Sequence, residues 1–183
     1  MRTFLVALLV ALAAPAEAQP AADAAPELHP ALAPFAGLIG QWRGEARATG
    51  RDGETVLLQT EDVRVGLGGA ILTVEGRGRA LGDGGAAGET LFHAHGVFSV
   101  DGETGTVYLD AFTKENRHTR VQPAPVDGGF DWSIEPESGP RIANTMRFDE
   151  AGRWTETGRM TFDGGATWIP FFEMTLERVE ASE

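Results

Sequence analysis

The chain has 183 residues, no Cys, 24 Gly, 10 Pro and a formal net charge of −12. Such acidity argues against nucleic acid and anionic membrane surfaces as partners, and a chain without Cys can form neither a disulfide nor a thiol-linked lipid anchor. Its length suits one hydrophobic core and leaves no room for two ordinary domains.

Met1-Arg2-Thr3 precede an apolar run from Phe4 to Ala14 and the small-x-small triplet Ala16-Glu17-Ala18. This order predicts a secretory signal peptide over 1–18. Its apolar run is too short to span a bilayer, so the expectation is a periplasmic or secreted protein without membrane insertion. Residues 19–27 are low in complexity and predict a disordered leader, followed by one domain over 28–183. Leu28, Leu32, Phe35, Ala36 and Ile39 then recur at helical spacing, while Pro30 and Pro34 limit the element to one or two short turns. A short apolar helix here is placed to plug one end of a barrel.

From Trp42 onward the period becomes two. Trp42, Gly44, Ala46 and Ala48 alternate with Arg43, Glu45, Arg47 and Thr49. Similar runs cover 55–66, 70–80, 91–100, 106–113, 118–121, 130–134, 141–148, 153–162 and 168–179. Gly- and Asp-rich turns such as Asp101-Gly102-Glu103-Thr104-Gly105 separate them. The pattern predicts an all-β fold, an antiparallel up-and-down β-barrel of about ten strands behind a short N-terminal plug helix. The short local turns, with no long crossover, disfavour an immunoglobulin-like sandwich.

Two segments carry a resemblance. The first leads from Leu28 into Gly40-Gln41-Trp42-Arg43-Gly44, and the second is Trp154-Thr155-Glu156-Thr157-Gly158 with Asp163 to Trp168 and Phe172 to Arg178. Together they resemble lipocalin-like (calycin) β-barrels, in particular an uncharacterised exported bacterial family related to nitrobindin-type barrels. The resemblance implies that Trp42 and Arg178 stack at the closed barrel end as a structural clasp, a cation–π contact of about 0.5–2 kcal/mol. It also implies a haem-binding barrel as one functional reading. Nitrobindin-type domains hold haem through a His near the C-terminal strands, however, and here no His follows His118. Met160 and Met174 are the remaining residues there with a ligating atom.

Three groups of side chains bear on function. His93 and His95 stand two apart on a predicted strand, so both rings share one face and can share a metal, with His118 or Asp110 as a third ligand. The opposite face, Phe92, Ala94, Gly96 and Phe98, is at least as apolar, which allows the His face to point outward. Glu156 alternates with Trp154, Gly158, Met160 and Phe162, which predicts an inward carboxylate among aromatics. Such a group must be paired, hydrogen-bonded or protonated, with Arg141 or Arg147 as candidate partners. Asn144, in phase with Ile142, Met146 and Phe148, is a second inward polar group. With Trp154, Met160 and Phe172 these two form the expected ligand-binding set. The leading functional expectation is a barrel that binds a small apolar or amphipathic molecule. The alternatives are a metal-dependent enzyme using His93 and His95, an acid–base enzyme using Glu156, and a haem protein. No Gly-rich phosphate loop precedes a helix, and no Ser/His/Asp spacing is recognisable.

Overall fold

Eleven antiparallel strands follow one another around a single curled sheet in the computed structural model, which describes residues 27–180. The expected signal peptide and all of the leader except Glu27 lie outside the described residues. The strands are β1 (Gly40–Gly50), β2 (Gly53–Gly66), β3 (Ile71–Leu81), β4 (Ala87–Val100), β5 (Val107–Thr113) and β6 (His118–Val121). They continue as β7 (Ala124–Val126), β8 (Gly129–Ile134), β9 (Arg141–Phe148), β10 (Trp154–Thr161) and β11 (Ile169–Arg178). The first and last strands are neighbours, and the spatial order runs β6-β5-β4-β3-β2-β1-β11-β10-β9-β8-β7.

The sheet is a half-barrel and does not close through hydrogen bonds, which corrects the expectation of a closed barrel of about ten strands. The physical reason lies between β6 and β7, the two edges of the sheet, which Gln122 and Pro123 join. Pro123 and Pro125 have no backbone N–H to donate, so the chain crosses from one edge to the other without continuing the ladder. Side chains span the opening instead. Phe35 packs 4.9 Å from the ring of Phe98 on β4 and 5.4 Å from that of Phe130 on β8, and the latter two lie 5.8 Å apart.

Phe35 belongs to the plug, a 3-10 helix over Pro30–Leu38 that buries Leu32, Phe35 and Leu38. Residues three apart eclipse on a 3-10 helix, which is why Leu38 is inside and Ala36 outside, contrary to a 3.6-residue period. Below the plug, Trp42 is buried at one end of the half-barrel. Its indole N–H donates to the Leu38 carbonyl at 2.7 Å, and Phe148 and Trp154 pack on it at 5.6 and 5.7 Å. Arg178 pairs with Trp42 in the β1–β11 register and holds its guanidinium 4.2 Å from the ring centroid. It also donates to the carbonyls of Ile39 and Gly37, so one side chain fastens the last strand to the plug and the first strand. Gly40 has φ +132° and its missing Cβ would meet Arg178 Nη1. The Gly of Gly-x-Trp is therefore required by both backbone and clasp.

Candidate functional site

Period two fixes what enters the half-barrel. On β10, Trp154, Glu156, Gly158 and Met160 point inward, while Thr157 and Arg159 on the other face are exposed. Glu156 sits between Met146 of β9 and Met174 of β11 in register, an apolar collar on both sides. The side chain is half-buried, so part of it stays open to water inside the curl of the sheet. Burial pushes its carboxyl up to about 7, while the Trp154 and Trp132 indoles favour the charged form. Neither Arg141 nor Arg147 partners it. Arg141 pairs with Glu135 and Arg147 with Asp131, on the outer side of the sheet.

A second carboxylate shares this interior. Glu61 on β2 is 8% exposed. Burial pushes it up to about 8 and the charge of Glu156 adds to the rise, while a hydrogen bond from Gln59 opposes it. That bond runs from Gln59 Nε2 to Glu61 Oε1 at 2.7 Å, and Gln59 is itself 3% exposed. Glu61 lies over Gly76 of β3, where a Cβ would stand 2.7 Å from Glu61 Oε2. Gly76 thus makes the recess that the carboxyl fills.

Asn144 on β9 is 4% exposed and faces the same space. Its Oδ1 would lie 2.7 Å from a Cβ on Gly158, so a second strand glycine makes room for a second polar side chain. A bulge between Gly158 and Arg159 brings the Phe171 ring over the same glycine. Asn144 Nδ2 and Trp154 Nε1 are buried without a hydrogen-bond partner among the described residues. The indole of Trp154 approaches Glu156 without completing a bond to it. Met160 and Phe172 stand on inward positions nearer the open end, both half-buried. The ligand-binding set expected from sequence (Glu156, Asn144, Trp154, Met160 and Phe172) therefore occupies one inner wall, and Glu61 and Gln59 complete it from β2.

The histidines lie elsewhere. His93 and His95 share a face of β4, and it is the outer one, opposite Arg77 and Glu75 of β3. His93 Nε2 is 3.0 Å from Glu75 Oε1, which also takes Arg77. His118 and Asp110 meet each other at 2.8 Å on β6 and β5, where Arg120 donates to both oxygens of Asp110. The structure brings neither of them to the His93–His95 pair as a third ligand, and no group of three or more His, Cys, Asp or Glu placed to hold a metal is found among the described residues. Met174, a sulfur that the haem reading raised, is buried in the core. Two surface depressions, of about 430 and about 200 Å³, lie among outward ion pairs such as Arg77–Glu75 and Arg47–Glu54; Trp42 and Glu61 also line the first and Phe172 the second, and Glu156 lines neither.

Fold and interior together define an all-β half-barrel with a plugged end and a polar, acidic inner wall. No protein-family profile matches the chain, and no curated protein does. A solved structure, that of Rv2717c from M. tuberculosis, is similar with a TM-score of 0.61 at 17% identity, covering 84% of this chain and 100% of that one. At that identity the likeness shows the fold alone.

Proposed function

We propose that this chain is an exported binding protein that takes a small amphipathic molecule into its half-barrel. The carrying observation is the unpartnered Asn144 amide and Trp154 indole beside the half-buried Glu156 carboxyl. A buried donor left unsatisfied costs about 1–3 kcal/mol, and a ligand that accepts from it, or that brings the neighbouring carboxyl to its charged form, recovers that cost. Toward the open end the residues become apolar and exposed, with Phe92 on the inner face and Leu91, Phe162 and Ile169 around the rim. A molecule with a polar head and an apolar body matches this gradient. The signal-peptide pattern at 1–18 supports export, and the Trp42–Arg178 clasp supports kinship with the lipocalin-like, nitrobindin-type barrels. The metal and haem readings draw less support. His93, His95 and His118 stand on outward strand positions and His29 caps the plug helix.

The test is a titration with N-phenyl-1-naphthylamine, a neutral apolar dye. Its emission should rise to saturation while tryptophan emission falls. Ala48→Trp, on the inner face of β1 beside Phe172, should weaken binding by about tenfold, roughly 1.4 kcal/mol. Absence of saturable binding, or identical binding by Ala48→Trp, would sink the proposal.

A further inference from the structure

We infer that the ligand's polar end is a cation, a protonated amine received by Glu61 and Glu156; this assignment rests on the binding reading above. The charge inventory of the interior carries it. Glu61 on β2 stands opposite the buried Trp42 and Glu156 on β10 opposite the buried Met174, so both face the interior, and the charge of Glu156 reaches Glu61. Arg178 is the one basic side chain at an inward strand position among the described residues, and the Trp42 face and two plug carbonyls occupy it at the closed end. The neighbouring acids point outward and have arginines of their own: Asp62 with Arg64, Glu75 with Arg77, and Asp131 with Arg147. The inner wall therefore presents two carboxyls and no counter-ion.

Two built features indicate that these carboxyls are meant to be ionised when the site is filled. Gln59 turns its amide donor to Glu61 and not its oxygen. Trp154, nine-tenths buried, holds an unpartnered N–H beside Glu156, a donor that gains a full bond when the carboxylate carries its charge. A bound ammonium group supplies the missing positive charge, with up to three donors for the carboxylate oxygens. Burial raises Glu61 to about 8 and Glu156 to about 7, so part of the pair is protonated near neutrality and uptake of the cation should release protons. The net charge of −12 favours approach of cations over anions.

The experiment is a competition for bound N-phenyl-1-naphthylamine by dodecylamine, dodecanol and dodecanoate, each below its micelle concentration, at pH 7.5. Dodecylamine should displace the dye at a concentration at least tenfold lower than dodecanol. Glu156→Gln and Glu61→Gln should each erase the amine's advantage over the alcohol, both measured in the same variant. Glu156→Asp keeps the charge and should retain a preference for the amine, which separates loss of charge from a folding defect. If dodecanol or dodecanoate matches or exceeds the amine, the cation assignment is overturned while the binding reading stands. Displacement by none of the three overturns both.

Discussion

Glu61 and Glu156 are the residues at which folding and function pull apart. Each has an ordinary carboxyl value of 4.5 that burial raises, to about 8 for Glu61 and about 7 for Glu156. A raised folded-state value means that the native protein holds protons the unfolded chain has released. The resulting stability is fully present below about pH 4.5 and is lost as pH rises through about 7 and then 8. Asp163, held down to about 2 by the Thr167 N–H and the Thr161 hydroxyl, acts in the opposite direction and only at more acid pH. Thermal unfolding should therefore give a higher midpoint at pH 5 than at pH 9. Glu61→Gln should raise the midpoint at pH 9 by several degrees and change it little at pH 5; a wild-type midpoint flat across this range would contradict the account. Of this pair, Glu156 was legible in the sequence because its strand alternates cleanly. Glu61 was not, because Val56, Leu57 and Leu58 are consecutive and blur the phase of β2. The signal that could have found it is Gly76 with Gly78 on β3, two small residues in phase that leave room for Glu61 and Gln59 on the facing strand.

At the scale of elements, most strands could be placed from their turns, and β6 and β9 have the bounds their residue patterns predict. Two misses have local causes. The plug obeys a three-residue period because Pro30 and Pro34 favour tight turns over a regular α-helix. The short β7 went unseen because Pro125 stands at its centre, and proline is admitted to a sheet chiefly at an edge. That same proline makes β6 and β7 the weak elements. They border the sheet, are four and three residues long, and each is bonded on one side alone. Hydrogen exchange should show their amides exchanging first among the strands, with central β1, β2 and β11 last. Slow exchange across 118–126 would mean that the seam is closed in solution.

At the scale of the whole molecule, an up-and-down chain order and a β1–β11 junction were readable from the Trp42–Arg178 bracket, since residues at both ends of the domain can stack only if the sheet curls back on itself. That the curl stops short of closure was not readable, because closure depends on backbone donors in four residues, Gln122 to Pro125. The consequence is a molecule sealed at one end by the plug, joined along one side by aromatic packing, and open at the other end above its polar inner wall. His93, His95 and His118 face outward while the unpartnered Asn144 amide and Trp154 indole face inward, so ligand binding is expected inside. The most direct test is a site-resolved NMR titration of the protein with N-phenyl-1-naphthylamine. Shifts should concentrate on the Trp132 and Trp154 indole N–H groups, the Asn144 side-chain amide and the Met160 methyl, with His93, His95 and His118 unmoved. Shifts confined to the outer histidines, or none at inward groups, would contradict an interior binding site.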